Sequence, residues 1–158
     1  MRAKLKQRIG ISILVVVCLA LSLGIYSVTN FHAIIPEKVY RSAQLPRPIL
    51  IYVIKHDHIH SIINLRGENK GKAWYAKETG VAAKLGGNHY DLRFNSLTMP
   101  KASLLVRLVH VLQTAPQPIL IHCAGGSDRT GMAAAVVLIL DRRSLTLTRE
   151  PIASHYCV

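Results

Sequence analysis

Ile119-Leu120-Ile121-His122-Cys123-Ala124-Gly125-Gly126-Ser127-Asp128-Arg129-Thr130-Gly131 is the stretch from which the rest of the chain is read. Ile119 to Ile121 is the kind of short apolar run that fills a central strand buried on both faces. A cysteine follows, then five residues, an arginine, and an apolar run from Gly131 to Leu140 of helical length. Two glycines and a serine let the backbone curl so that successive N–H groups face inward as an anion nest. The loop then closes on the positive end of the helix. That end favours a phosphate dianion and a thiolate for the same electrostatic reason.

Each side chain of the loop has a reading. A free cysteine has a pKa of about 8.5, and a helix N-terminus or nearby cations lower it to roughly 3.5–7.5, so Cys123 reads as a nucleophile. The planar fork of Arg129 suits two phosphate oxygens at once, which a lysine ammonium does not match. Thr130 is placed to donate its hydroxyl hydrogen to the sulfur, and His122 to orient the loop and help keep Cys123 ionised. Ala124, Gly125, Gly126, Ser127 and Asp128, with Arg129, form the expected phosphate-binding loop. The chemistry that follows is attack of Cys123 on phosphorus, a phosphocysteine, and its hydrolysis by water. The competing reading, a buried cysteine before an ordinary loop, does not account for the whole conjunction of strand, His-Cys, glycine, arginine and helix.

The segment resembles the signature His-Cys-x-x-Gly-x-x-Arg-[Ser/Thr]-Gly of the cysteine-dependent protein tyrosine and dual-specificity phosphatases, with all defining positions present. Val39-Tyr40-Arg41-Ser42-Ala43-Gln44-Leu45 and Ile62-Ile63-Asn64-Leu65-Arg66-Gly67-Glu68 look like segments of the compact atypical dual-specificity branch. The resemblance covers roughly residues 36 to 150. It implies the phosphatase fold, the phosphocysteine mechanism and no metal or other cofactor. It places Arg66 and Glu68 near the pocket, as a structural ion pair or as substrate contacts, and Arg41 in the same position.

The leaving oxygen needs a proton donor, for which a carboxylic acid is the usual choice. The chain has only eight acidic residues. Asp91, in Tyr90-Asp91-Leu92-Arg93-Phe94, stands 32 residues before Cys123, roughly where dual-specificity phosphatases carry their acid. Asp128, inside the loop, resembles the aspartate in the Cys-x-x-Gly-x-Asp-Arg loop of the myotubularin branch. The stretch that matches the usual acid loop, Asn95-Ser96-Leu97-Thr98-Met99-Pro100, contains no acid. Asp91 is the preferred donor on this reading and Asp128 the second. The bland alternatives are an Asp91–Arg93 pair and an Asp128 that merely holds Arg129.

At 158 residues there is room for one domain and an appendage. Arg2, Lys4, Lys6 and Arg8 precede Ile9 to Val28, twenty residues without a charge, long enough to cross a bilayer as a helix. The expected organisation is a basic flank over 1–8, a transmembrane anchor or signal segment over 9–28, a linker over 29–35 and a catalytic domain over 36–158. An anchor is preferred to a cleaved signal, because the run is long and Ser27 with Thr29 makes a poor cleavage site. The positive-inside rule then puts the N-terminus in the cytoplasm and the domain outside it, in the periplasm if the source is bacterial; a secreted, cleaved form is the alternative.

The net charge is +12, and four of those charges lie in the first eight residues, which leaves +8 on the rest. Such a surface attracts phosphorylated proteins, inositides or anionic lipids. No nucleic-acid module is present and aromatics are sparse, which argues against a nucleic-acid partner. Cys18, Cys123 and Cys157 are three in number and imply no disulfide framework. His56, His58 and His60 would share one face of a strand, as in a zinc site, but a helix end and turn before a strand is preferred there.

Strands are expected at Val39–Arg41, 61–65, 89–94 and 118–122, and helices at 46–58, 74–85, 101–113 and 131–140, with a further helix opening at 146–150. Alternation of this kind predicts an α/β fold with a central, mostly parallel sheet flanked by helices. The expected function is a membrane-anchored phosphatase acting on phosphotyrosine or on phosphoserine and phosphothreonine of proteins. The alternatives are a phosphatase of phosphoinositides, phospholipids or small phosphate esters, and an anchored module that binds phosphate without turnover.

Overall fold

The computed structural model describes residues 8, 10–17, 24 and 29–141. The expected membrane-spanning segment over 9–28 lies partly outside them, and Cys18, Cys157 and the helix expected at 146–150 lie wholly outside. Among the described residues no helix is long and apolar enough to cross a membrane.

The elements run β1 (His32–Ile35), β2 (Val39–Ser42), α1 (Arg47–His56), β3 (Ser61–Asn64), α2 (Ala73–Lys84), β4 (Asn88–Asp91), α3 (Ala102–Thr114), β5 (Ile119–His122) and α4 (Asp128–Leu140). The five strands form one sheet in the order β1-β2-β5-β3-β4. Only β1 runs antiparallel, against β2; β2, β5, β3 and β4 are parallel. The result is the α/β fold expected, with β5 in the middle.

Helices cover both faces, which is why the strands read as apolar runs rather than as alternating ones. Ile119 and Ile121 of β5 pack with Ile63, Leu108, Val111, Ala133, Ala134 and Val137 on the side of α3 and α4. Leu120 and Ile62 point the other way, to Leu50, Val53, Ile54, Val81 and Ala82 of α1 and α2. Burying side chains of this size stabilises by about 1.5–3 kcal/mol each, so the central strand is fixed in register from both sides.

That register places the chemistry. Ser42 pairs with His122, His122 with Asn64 and Asn64 with Asp91, so one row crosses the carboxyl ends of the four parallel strands. In open sheets of this kind ligands bind beyond the carboxyl ends.

The expected linker at 29–35 is corrected. Residues 32–35 are β1, and the Ala43 N–H donates to the Thr29 carbonyl at 2.7 Å. The three histidines do not share a strand face. His56 closes α1, His58 sits in the turn with φ of 51°, and His60 precedes β3.

Candidate active site

Cys123 leaves the carboxyl end of β5 and is 3% exposed. Ala124 to Ser127 form a loop, and α4 begins at Asp128, so Asp128, Arg129 and Thr130 make up its first turn. The turn at Gly126 has φ of +75°, a left-handed conformation that glycine adopts without penalty. It brings the Gly126 N–H to 3.2 Å from Cys123 Sγ. Thr130 Oγ1 lies 4.0 Å from the sulfur and donates to the Ser127 carbonyl at 3.2 Å. The expected threonine–sulfur contact is therefore at the limit of hydrogen-bond reach, and the donor closest to the sulfur is backbone. Nε of Arg129 is buried and makes no hydrogen bond among the described residues.

The loop is braced from below. Asn30 Nδ2 donates to the carbonyls of Gly125 at 3.1 Å and Gly126 at 2.9 Å. Arg41, buried in β2, reaches Asn30 Oδ1 at 3.4 Å. Arg41 thus acts on the loop through Asn30. The Gln44 N–H donates to the Ala124 carbonyl at 3.0 Å.

His122 lies under the loop, 2% exposed. One ring nitrogen is 3.2 Å from the Cys123 carbonyl and the other 3.0 Å from Glu78 Oε1. Glu78 is a buried carboxylate of α2 that also receives His89 Nε2 at 2.9 Å and Gln44 Nε2. Burial alone would raise its pKa. The hydrogen bonds from His122 and His89, the positive charge of His122 and the Gln44 amide outweigh that and hold it at about 2.

The sign of the pH dependence follows. A carboxyl with a folded pKa below its ordinary value contributes stability that is present above about pH 4.5 and lost as the pH falls toward 2, here on the order of 3 kcal/mol. Denaturant midpoints measured between pH 6 and pH 3 should fall, and fall less in Glu78→Gln. Equal falls in the two proteins would exclude Glu78 as the source.

The two candidate acids are placed differently. Asp91 ends β4, two strands from β5. Its Oδ1 accepts from Asn64 Nδ2 at 2.8 Å and its Oδ2 from the Tyr75 hydroxyl at 2.6 Å, with His89 Nδ1 at 3.6 Å. The Tyr75 hydroxyl is correspondingly harder to ionise, first through that hydrogen bond and then through burial. Asp128 is exposed and, with Arg129 and Met132, lines a cavity of about 260 Å³ under the Asn95–Pro100 loop.

Arg66 is the remaining cation. Its guanidinium lies 3.7 Å from the Trp74 ring centroid, and Nη1 donates to Gln44 Oε1 at 3.0 Å. Its pKa is lowered by burial and by the charge of Arg129, while Glu78 and Cys123 oppose the shift, so it shares the electrostatic neighbourhood of the cradle. Glu68 pairs with Lys70 at 2.7 Å rather than with Arg66.

Sequence reading missed Glu78, Gln44, Asn30 and Trp74. Glu78 alone had a local signal: Val81 and Ala82 follow at i+3 and i+4, so it sits on the apolar face of its helix.

A mostly parallel sheet with a thiol beyond its middle strand, and an arginine in the first turn of the helix that follows, is the arrangement of the cysteine-dependent phosphatases. A model described as the tyrosine phosphatase family matches residues 22–156, and the chain belongs to that family. Among solved structures, the core catalytic domain of the PP-IP phosphatase SIW14 from S. cerevisiae is similar at 24% identity. It covers 81% of this chain and 76% of that one, with a TM-score of 0.66. PTPMT1 is similar at 21% identity over 80% of this chain and 84% of its own, with a TM-score of 0.63. TpbA from P. aeruginosa is similar at 22% identity over 77% and 73%, with a TM-score of 0.54. No curated protein matches the chain.

Proposed function

We propose that the protein hydrolyses phosphate monoesters of proteins, on tyrosine or on serine and threonine, through a phosphocysteine. The observation that carries this is the pairing of Cys123 Sγ, held by the Gly126 N–H at 3.2 Å, with an Arg129 whose buried Nε makes no hydrogen bond among the described residues. A buried donor without an acceptor costs about 1–3 kcal/mol, which a phosphate oxygen offsets. Cys123 Sγ attacks phosphorus, the P–S bond forms, and the P–O bond to the alcohol breaks. Water then attacks the phosphocysteine and the P–S bond breaks, returning the thiolate and releasing inorganic phosphate. His122 orients the loop and Thr130 caps its turn.

Asp128 is the proton donor on this reading, in place of Asp91. Both Asp91 oxygens are occupied as acceptors, whereas Asp128 stands exposed beside Arg129 at the cavity. Asp128→Asn is expected to lower kcat about 10²-fold on alkyl phosphates, which need a proton, and much less on activated aryl phosphates. Asp91→Asn should change the leaving-group dependence little. The reverse pattern would return the role to Asp91.

Release of phosphate from an aryl phosphate by the full chain tests the enzyme reading. Absence of release with inorganic phosphate still bound would leave a phosphate-binding module. A second reading, a phosphatase of phosphoinositides or small phosphate esters, is favoured by Arg66, a second cation beside the cradle, and by the PP-IP activity in the description of SIW14. A structure of TpbA with bound pTyr supports the protein reading. Comparing phosphopeptides with inositides ranks the two.

The same proposal includes an anchor at residues 9–28, with the catalytic domain outside the cytoplasm. It is supported by twenty uncharged residues behind a basic flank, and by helical residues 10–17 that expose Ile11, Ile13, Leu14 and Val16. The mass of the mature N-terminus separates an anchor from a cleaved signal.

A further inference from the structure

Glu78 stands outside the loop that holds the chemistry, yet three side chains of the site converge on it. Val81 and Ala82, one turn on in the same helix, are buried in the core and fix its position. The carboxylate is 3% exposed. Oε1 receives the ring nitrogens of His122 and His89, at 3.0 and 2.9 Å, and Oε2 receives the Gln44 amide.

The consequence for His122 is chemical. Its second ring nitrogen is 3.2 Å from the Cys123 carbonyl, an acceptor only. An ionised carboxylate is also an acceptor only. To bond both, the ring must carry a hydrogen on each nitrogen. A neutral ring either leaves the Cys123 carbonyl unmet or turns a bare nitrogen toward the Glu78 carboxylate. A ring with a hydrogen on each nitrogen is an imidazolium, and Glu78 at 3.0 Å is the countercharge for it, beside the Cys123 carbonyl.

Gln44 extends the effect to the rim. With its amide nitrogen committed to Glu78, its oxygen is left to accept from Arg66 Nη1 at 3.0 Å. Its backbone N–H meanwhile holds the Ala124 carbonyl of the loop. On the far side, His89 joins Glu78 to Asp91.

We propose that Glu78 is a positioning residue: it keeps a hydrogen on both ring nitrogens of His122 and thereby fixes the Cys123 carbonyl and the loop that carries the thiol. Its effect on rate rests on the phosphatase reading; its effect on His122 does not. Glu78→Gln keeps the volume but turns one oxygen into a donor facing donors. The expected result is a fall in kcat of about 10²-fold, the scale of a small misplacement of reacting groups, with KM and inhibition by inorganic phosphate unchanged. A merely structural residue would move both together.

Nitrogen-15 spectra of the imidazole rings are the second measurement. In the unsubstituted protein near neutral pH both nitrogens of His122 should carry hydrogens, and in Glu78→Gln one should be bare. A Glu78→Gln protein with normal kcat, or a bare nitrogen on His122 in the unsubstituted protein, overturns the proposal. If the unsubstituted protein releases phosphate from no ester, the phosphatase reading fails, and the ring spectrum alone decides the role of Glu78. The same spectrum decides it if Glu78→Gln does not fold.

Discussion

Cys123→Ser will bring phosphate release to background while inorganic phosphate still binds. A serine hydroxyl in the same place is protonated at neutral pH and is a far weaker nucleophile than a thiolate. Removal of a nucleophile from an enzyme that works through a covalent intermediate costs on the order of 10⁶-fold in kcat. Binding has different carriers. The Gly126 N–H, the Arg129 guanidinium and the amino end of α4 are all retained, and the oxygen is smaller than the sulfur it replaces, so the cradle has no steric reason to close. Isothermal titration with phosphate and phosphate release from an aryl ester, on the same preparation, read the two separately. Turnover at the normal rate would remove Cys123 from the mechanism. Loss of binding together with turnover would show that the buried thiol holds the loop's shape instead.

The strand, the loop and the helix start were legible because their signals are local. Ile119 to Ile121 must be buried, Gly125 and Gly126 permit a turn, and the run to Leu140 has helical length. Even so, α4 opens at Asp128, three residues before the expected Gly131, because the Ser127 carbonyl already accepts from the Gly131 N–H. That shift puts Asp128 and Arg129 in the first turn rather than in the loop. β4 is shorter than expected for the converse reason. Leu92 and Phe94 are buried, but they lie past the β3–β4 ladder, which ends at Asp91.

What could not be read depends on distance along the chain. Asn30 braces carbonyls 95 and 96 residues away, and it lies in a segment whose composition suggests only a linker. Glu78 meets His122 across 44 residues. The row Ser42–His122–Asn64–Asp91 exists only once the strands are in register, and that register is set by burial on both faces of the sheet. Spacing places Asp91 32 residues before the cysteine, but does not give its hydrogen bonds to Asn64 and Tyr75, which tie β4 to β3 and α2.

Gly126→Ala will abolish most activity, and Gly125→Ala will not, although the two glycines are neighbours. At Gly126 a Cβ would stand 2.5 Å from the Ala43 nitrogen, 2.7 Å from the Ser42 carbonyl carbon and 2.9 Å from its oxygen. These are backbone atoms at the end of β2, and the Ala43 N–H is itself bound to Thr29, so they cannot swing away. The φ of +75° adds about 1–2 kcal/mol of strain for a residue with a side chain. The loop must lift, and its N–H then leaves Cys123 Sγ while Arg129, three residues on, moves with it. Loss of one preorganised donor to a developing charge costs about 10²–10³-fold, so displacement of both should lower kcat by at least about 10³-fold. At Gly125 the nearest contact of a Cβ is Ser127 Oγ at 3.9 Å, ordinary van der Waals distance, and no strain is introduced. Kinetics and thermal melts of the pair distinguish the backbone requirement from a general need for flexibility. A Gly125→Ala protein as damaged as Gly126→Ala would show that flexibility of the whole loop, rather than the approach of Gly126 to β2, is what the chemistry requires.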